Sequence, residues 1–379
     1  MKCVIKLKDK MAKILKPRLL SLGSRYSQAS VLSIFTEGIK HYASGTPSVL
    51  SKVEQIFNNT RLKGGNFVFN PEGMKMSASA ASANVENTYQ QLTKTAVDTF
   101  RSVDTRGLNK IFVTTEIPGC PPLGNLLDHP KVATFAGHGC FGSINLIEEA
   151  NAYLRLNPTH AVGLYAVEIP SRVWHTQFPI ELRRLIQIDI QHQKGQGPEV
   201  DIYKPIINNI VVAALVRDNA IFTKMVGARH VDYLAKPGWV VKDSAFQKIP
   251  EAASLVGTSM NIYGSKMFMS PLIAPTVGPK AKKLITDLSK KNCRHPSEIN
   301  HLLLHPGGVK ILEGVEKEFG IPLPLKYSKD SLEEYGNCLS TSVFDVIRRN
   351  FDDAQDYQDA IIYGVGPGMI HGAHYVTRH

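Results

Sequence analysis

Cys140 is the first residue whose position suggests chemistry. It lies in GHGCFGSINLIEEA, between a strand-like run and a predicted helix, with glycines on both sides. The free N–H groups and the positive dipole end of a helix N-terminus stabilise a thiolate, so we expect the pKa of Cys140 to be lowered from about 8.5. The same N–H groups could hold an oxyanion. Taken alone, a single cysteine is more simply interpreted as a small buried side chain.

His305 and Asn337 occupy comparable positions. His305 ends an apolar run before Pro-Gly-Gly, and its imidazole can donate a hydrogen bond or transfer a proton near neutral pH. Asn337 can donate to a substrate oxygen through its amide or cap a helix over 338–350. Cys, His and Asn beside glycines at three element ends favour nucleophilic catalysis over three separate structural roles. A papain-like hydrolase is the first alternative, but its local cysteine signature is missing.

Predicted strands and helices alternate along the chain and must position these groups. Apolar and β-branched runs predict strands over 19–22, 110–117, 132–136, 161–169, 210–216, 299–304 and 360–363. Helical spacing predicts helices over 77–104, with Ser77 as the N-cap, and over 141–154 and 309–319. Cys140 and His305 therefore lie at strand-to-helix junctions of a layered α/β architecture.

The composition indicates a globular protein with a basic surface. The chain has 379 residues, of which 43% are hydrophobic, and a formal net charge of +11. A positive field attracts anionic partners such as phosphorylated cofactors. Nucleic acid is not expected as a partner, because no recognition motif or interleaved aromatic pattern is present. Residues 1–17 form a basic extension, interpreted as a solvated tail, with weak contact to a membrane surface as the alternative.

The cysteines and the apolar runs indicate the compartment. The chain has five cysteines, without a CxxC pair or a Cys/His cluster at zinc spacing, which favours a reducing cytoplasm and predicts no metal site. Lysines interrupt the apolar N-terminal residues, and no run reaches the roughly 18 apolar residues of a membrane span. We therefore expect a soluble protein that is not secreted.

Four segments resemble the chalcone synthase-like, or type III, polyketide synthases of the thiolase-fold group. GHGCFGSINLIEEAN is similar to the nucleophile segment with Cys140, LLLHPGGVKILEGVE to the histidine segment with His305, YGNCLSTSVFDVI to the asparagine segment with Asn337, and YGVGPGM to the C-terminal glycine loop. Weaker similarity extends from about residue 18 to the C-terminus. It includes IFNNTRLKGG, which resembles a stretch that contributes to coenzyme A binding.

The resemblance implies a five-layered αβαβα thiolase fold made of two similar halves. We place the halves at 18–228, with the nucleophile, and 229–379, with the histidine and the asparagine. It also implies a homodimer that uses coenzyme A thioesters, acyl-CoA and malonyl-CoA, with no added redox cofactor or metal. In the implied reaction Cys140 carries a starter acyl group, and malonyl-CoA loses carbon dioxide beside His305 and Asn337 before its carbanion attacks that group. Repetition and ring closure would give a pyrone or a phenolic ring.

The resemblance further implies contacts to the substrates. Arg61, Lys63 and Lys310 are the expected partners of the coenzyme A phosphates or pantetheine arm, although exposed solubilising charges explain them equally well. Val216 stands where plant members carry a gatekeeping phenylalanine, and Phe246 aligns loosely with a second one. The other expected contacts lie in two glycine turns: Gly307, Gly308, Gly366, Pro367 and Gly368.

Two departures from the family pattern leave the pocket shape open. ALVRDNAIFTKMVG stands where a GDGAAA-like stretch is usual, so Arg217 and Asn219 replace small glycines and the local turn must differ. TTEIPGCPPLGNLLDHP, with Cys120, is shorter than the family's cross-dimer loop.

The alternatives to an iterative enzyme with a fatty acyl starter are a single-round condensing enzyme or acyltransferase, supplied by a carrier protein, and a non-catalytic binding subunit.

Overall fold

The computed structural model describes residues 11–20, 22–42, 47–75, 77–116, 131–195, 203–261, 264–320 and 323–379. Fourteen strands lie in this part of the chain: β1 (Lys13–Ile14), β2 (Arg18–Leu20), β3 (Ser24–Ser27), β4 (Gly64–Phe67), β5 (Lys110–Thr115), β6 (Val132–Ala136), β7 (Ala161–Glu168), β8 (Asn219–Val226), β9 (Trp239–Lys248), β10 (Val256–Asn261), β11 (Gly264–Met269), β12 (His301–Leu304), β13 (Asp359–Gly366) and β14 (Ile370–Arg378). The helices are α1 (Gln28–Tyr42), α2 (Pro47–Asn59), α3 (Ala78–Ala83), α4 (Val85–Arg101), α5 (Gly142–Leu156), α6 (Gln177–Gln193), α7 (Tyr203–Leu215), α8 (Val231–Ala235), α9 (Ile273–Lys291), α10 (Val309–Phe319), α11 (Lys326–Tyr335) and α12 (Thr341–Asn350).

The strand order repeats between the two halves of the chain. In the first half the order is β6-β5-β7-β8-β2, with parallel pairs at β6/β5 and β5/β7 and antiparallel pairs at β7/β8 and β8/β2. In the second half the order is β12-β13-β14-β9, with a parallel first pair and two antiparallel pairs. The short strand β1 pairs with both β8 and β9 and joins the halves. The predicted pair of similar halves is confirmed, whereas the boundary at 228/229 stays a prediction.

Buried side chains divide the molecule into five layers. Helix α4 covers one face of the first-half sheet, where Leu92 and Phe100 pack with Val113 and Tyr165. Helices α5 and α12 lie between the first-half and second-half parts of the sheet, which β1 joins, in one apolar cluster that reaches both parts. Helices α9 and α10 cover the outer face of the second-half sheet. Alternation along the strands supplies a second buried face to each sheet, as when Phe112 faces the central helices.

Most predicted elements are confirmed, with boundaries shifted by a few residues. The strand over 132–136 and the helix over 309–319 match β6 and α10. Ser77 accepts a hydrogen bond from the backbone N–H of Ala80 at 3.1 Å and caps α3, but the predicted helix over 77–104 is divided into α3 and α4. The predicted strand over 210–216 is wrong, because those residues end α7. Their apolar, β-branched side chains suit a helix buried on all sides as well as a strand.

Over the described ranges the structure has neither a membrane-spanning helix nor a cluster of metal ligands. No helix there combines the length and the apolar character of a membrane span. No group of three or more His, Cys, Asp or Glu side chains there is arranged to hold a metal ion. The predicted basic extension at 1–17 is described only from residue 11 onward.

Candidate active site

Cys140 lies in a tight turn at the start of the central helix layer. Residues Gly139–Phe141 form a single 3-10 turn that runs directly into α5. Gly139 has a φ of +47°, a conformation that side chains disfavour, and it brings the turn against Pro367. The predicted junction after β6 is confirmed. Cys140 keeps partial exposure and packs against the apolar cluster that includes Phe178, Val212, Val216 and Leu339.

Asn337 approaches the thiol from the start of the other central helix. Its Oδ1 lies 3.8 Å from the Sγ of Cys140 and accepts a bond from the backbone N–H of Leu339 at 2.9 Å. Its Nδ2 donates to the carbonyl of Gly307 at 3.3 Å. The backbone of Asn337 is fixed by a bridge to Val216, with Asn337 N–H bonded to the Leu215 carbonyl at 2.9 Å. The asparagine therefore joins the cysteine turn to the histidine turn, two sites far apart in sequence.

His305 follows β12 directly and is fixed by its backbone. Its N–H donates to the Tyr363 carbonyl at 2.8 Å, and its own carbonyl accepts from Gly307 N–H at 2.9 Å. The side chain is 4% exposed, and neither ring nitrogen has a hydrogen-bond partner among the described residues. Burial lowers the pKa of His305 to about 3, so the imidazole is neutral at neutral pH. A buried ring with two free nitrogen positions is costly unless another molecule completes its bonds.

The environment of the thiol contradicts the expected lowered pKa. Burial, followed by the negative charge of Glu168, raises the pKa of Cys140 to about 12. The side chain of Asn337 opposes this increase. Burial and the neighbouring acidic side chains therefore outweigh the helix N-terminus, and Cys140 is a neutral thiol at neutral pH.

A buried acid beneath the cysteine turn was missed by sequence reasoning. Burial raises the pKa of Glu168, at the end of β7, to about 8. One Glu168 carboxylate oxygen accepts from the Ser340 hydroxyl, and the other accepts from the Glu116 N–H at 2.7 Å. Glu116 in turn lies 2.9 Å from the Arg172 guanidinium, with both side chains 1% exposed. Acids at the ends of two apolar strand runs were the available signal in the sequence.

Arg217 binds the end of α7 and not the Cys140 thiol. Its guanidinium donates to the carbonyls of Ala213 at 2.8 Å, Ala214 at 3.0 Å and Val216 at 2.7 Å, and so caps the C-terminus of α7. The side chain is fully buried, and burial lowers its pKa to about 10. Asn219 is also buried and begins β8. The departure predicted at this turn is therefore a helix cap built from a charged side chain.

The C-terminal glycine turn, residues 366–368, packs against the turn that carries Cys140. A Cβ on Gly366 would lie 2.7 Å from the Phe141 nitrogen and 3.0 Å from the His138 carbonyl oxygen, so only glycine fits there. Pro367 lies against Gly139, and Gly368 has a φ of +74°. This predicted segment thus lies beside Cys140.

The two predicted gatekeeping positions differ in their surroundings. Val216 is 4% exposed and lies in the cluster against which Cys140 packs. Phe246 is 45% exposed, and its ring centroid lies 6.1 Å from that of Phe141, the residue after Cys140. Gly308 lies near Leu215, where an added Cβ would be 3.5 Å from the leucine side chain. Contact of any of them with substrate stays a prediction.

The three predicted coenzyme A contacts lie on an exposed surface. Arg61 pairs with Glu313 at 3.2 Å and Lys63 with Glu333 at 2.9 Å, and both cationic side chains are 70% exposed. Lys310 is exposed in the first turn of α10, the helix that also carries Glu313. Exposed pairs of this kind contribute little to stability, so an anionic ligand could displace the acids. The loop with Cys120 lies outside the described residues.

The sequence is similar to a protein family and to several known proteins. Residues 241–374 match the family described as chalcone and stilbene synthases, C-terminal domain, a segment that contains His305 and Asn337. The alpha-pyrone synthesis polyketide synthase-like Pks18 of Mycobacterium tuberculosis is 26% identical over 238 residues, which cover 61% of this chain and 53% of that protein. Polyketide synthase 37 of Dictyostelium discoideum is 22% identical over 232 residues, which cover 61% of this chain and 7% of that protein.

The match to a solved structure covers almost the whole chain. The 1,3,6,8-tetrahydroxynaphthalene synthase of Streptomyces coelicolor, a bacterial type III polyketide synthase, superposes with a TM-score of 0.75 at 16% identity over 96% of this chain and 99% of that one. The fold is therefore the thiolase-like fold of that structure. In sequence, the chain spans about half the length of Pks18 and a small part of the Dictyostelium protein.

Proposed function

We propose that this chain, which belongs to the type III polyketide synthase family, condenses malonyl-CoA with an acyl group carried on Cys140. One observation carries the proposal. The Asn337 amide lies between the Cys140 thiol, 3.8 Å from its Oδ1, and the turn of His305, whose two ring nitrogens are buried without partners among the described residues. A nucleophile and two neutral donor side chains are thus linked through Asn337 in one site, as an acyl transfer with an enolate intermediate requires.

In the first step the Cys140 sulfur attacks the carbonyl carbon of an acyl-CoA. The thiol loses its proton, a C–S bond forms, and coenzyme A leaves as the thiol. The raised pKa of Cys140 makes the free thiolate rare at neutral pH. We therefore propose that the proton passes from the Cys140 thiol to the coenzyme A sulfur as the new C–S bond forms and the old one breaks, while the N–H groups at the start of α5 hold the developing oxyanion.

In the second step malonyl-CoA binds beside the acyl-enzyme. The bond between its α-carbon and its carboxylate breaks, carbon dioxide leaves, and the electron pair becomes an enolate. His305 is neutral because burial lowers its pKa to about 3, so its ring N–H can donate to the enolate oxygen, together with the Asn337 Nδ2. The enolate carbon then attacks the thioester carbonyl, and the Cys140 sulfur leaves with its electron pair.

The substrate contacts follow from the family resemblance and from position. Arg61, Lys63 and Lys310 would bind the phosphates or the pantetheine arm of coenzyme A, displacing Glu313 and Glu333. Val216 and Phe246 would bound the acyl cavity, and the turns at Gly307–Gly308 and 366–368 would line it. Coenzyme A thioesters would be the only cofactor-like molecules needed. A homodimer in the cytoplasm is part of the same proposal, and membrane-surface contact through residues 1–17 stays a prediction.

The reaction is proposed to repeat and to end in a pyrone or a phenolic ring, with a fatty acyl-CoA as starter. The test is mass spectrometry of products after incubation with fatty acyl-CoA of several chain lengths and malonyl-CoA. Products extended by two or more malonyl-derived units would support the proposal. One condensation only, or activity solely with substrates on a carrier protein, would contradict the iterative part. Wild-type protein that releases no carbon dioxide from malonyl-CoA would contradict condensation altogether.

A further inference from the structure

A cavity lies away from Cys140, at the C-terminal end of β14. It has a volume of about 520 Å³ and is lined by residues of β2, β8 and β14 and by the residues that follow β1, α8 and α12. Strand β14 connects the two regions, because Ile370 pairs with Gly366 beside the nucleophile turn whereas Arg378 lines this cavity. Eight residues of extended strand separate them by roughly 26 Å, at about 3.3 Å per residue.

Five cationic side chains line the cavity: Lys16, Arg18, Lys224, Lys236 and Arg378. Three acids lie nearby. Asp352, also in the lining, pairs with Lys16 at 2.7 Å, and Asp232 pairs with Lys236 at 3.1 Å and with Lys224 at 3.4 Å. The third acid is Asp356, whose negative charge interacts electrostatically with Arg378. The positive charges exceed the negative ones by two, and Arg18 has no ion-pair partner in the described part of the chain.

Arg378 supplies an independent sign of a ligand. Its side chain is only 6% exposed and its guanidinium carbon lies 4.1 Å from the ring centroid of Phe351. One terminal nitrogen donates to the Phe351 carbonyl at 3.1 Å. The Nε and the other terminal nitrogen are buried and have no hydrogen-bond partner among the residues described. Donors left unpaired in a buried guanidinium are costly, and an anion in the cavity would satisfy them.

Apolar groups complete the lining and define the rest of the ligand. Leu15, Phe222 and Pro237 share the cavity with the cations. A volume of this size accommodates a small molecule rather than a single ion. We propose that this cavity binds the phosphate group of an organic phosphate that also carries an apolar or aromatic part, at a site separate from the one around Cys140. A soluble nucleotide and a phospholipid headgroup share this chemistry, and the experiment distinguishes them.

The experiment measures binding of ADP by calorimetry and binding of mixed phosphatidylcholine and phosphatidylglycerol vesicles by cosedimentation. The test variant is Arg18→Gln with Lys236→Gln, since both side chains are exposed and their removal should not unfold the chain. The matched control is Lys290→Gln with Lys317→Gln, which changes the net charge equally on the exposed ends of α9 and α10. Both variants keep the proposed coenzyme A contacts, so ADP bound there would be unaffected in both.

We expect wild-type protein to bind ADP with a Kd below about 1 mM and the test variant to bind it at least about tenfold more weakly, because two charged donors are lost. The control variant and Cys140→Ala should bind as wild type. If the test variant loses vesicle binding but not ADP binding, and the control variant keeps both, the ligand is a phospholipid headgroup. Equal loss in test and control variants, or no binding of either probe to wild type, would overturn the proposal.

Discussion

Replacing Arg217 should destabilise the protein strongly while leaving the chemistry at Cys140 in place. The guanidinium donates four hydrogen bonds, three to carbonyls at the end of α7 and one to the Gln28 side chain at 2.5 Å. The aliphatic part of the Arg217 side chain packs against Gly65. A Cβ on Gly65 would lie 2.5 Å from the Arg217 Cγ, so only glycine fits there. The charge is fully buried.

The magnitude follows from two opposing terms. Four hydrogen bonds to a charged group contribute about 6–12 kcal/mol at about 1.5–3 kcal/mol each. Removing a buried charge recovers several kcal/mol of its desolvation cost. Arg217→Met should therefore lower the free energy of unfolding by about 3–5 kcal/mol, because the carbonyls of α7 lose their donors. The free energy of unfolding of Arg217→Lys should lie between those of the wild type and Arg217→Met, since one ammonium nitrogen cannot reach all the acceptors.

Urea denaturation of the two variants and of Arg101→Met provides the assay. Arg101 is a matched arginine with an exposed ion pair to Asp98, and its replacement should change the free energy of unfolding by less than about 0.5 kcal/mol. Folded Arg217→Met should still acylate Cys140, because the Arg217 guanidinium is bonded to the end of α7 and not to the thiol. A change below about 1 kcal/mol would refute the helix-cap interpretation. Normal stability with loss of acylation would instead place Arg217 in the site.

Three further changes probe the site itself. Asn337→Asp should slow decarboxylation of malonyl-CoA by about a hundredfold or more, since a carboxylate replaces a neutral donor near the enolate. Release of radiolabelled carbon dioxide measures this rate, and an unchanged rate would remove Asn337 from the mechanism. Alkylation of Cys140 by iodoacetamide, followed by peptide mass mapping, should rise about tenfold per pH unit from about pH 8 to 10, because a pKa raised to about 12 keeps the thiol protonated throughout; a plateau near neutral pH would show a lowered pKa instead. Glu116→Gln should cost about 3–5 kcal/mol in urea denaturation by leaving buried Arg172 without its carboxylate at 2.9 Å, and adding Arg172→Met should recover part of that loss.

The sequence was informative where a local pattern determines the structure. Glycines beside Cys140 and Pro-Gly-Gly after His305 located both junctions, because tight turns limit the residue types they accept. The layered fold followed from alternating strands and helices and from the family resemblance. The run ending at Val216 was misassigned, since periodicity cannot separate a fully buried helix from a buried strand.

The remaining features depend on contacts between distant segments. The Asn337 amide meets Cys140 across 197 positions of sequence, and no local pattern states that distance. The pKa shift of Cys140 was predicted with the wrong sign, because folding surrounds the partly exposed thiol with other side chains and places Glu168, at the end of β7, close to it. Arg217 was predicted only to change the local turn, and the tertiary structure shows its guanidinium bonded to the end of α7.

The central claim is that Cys140 carries the acyl chain, and intact-protein mass spectrometry after incubation with a fatty acyl-CoA tests it directly. Wild-type protein should gain the mass of one acyl group, and Cys140→Ala should gain none. Cys293→Ala is the matched control, since Cys293 is an exposed free cysteine, and it should acylate as wild type does. A wild-type protein that never acylates, or a Cys140→Ala variant that still does, would contradict the account.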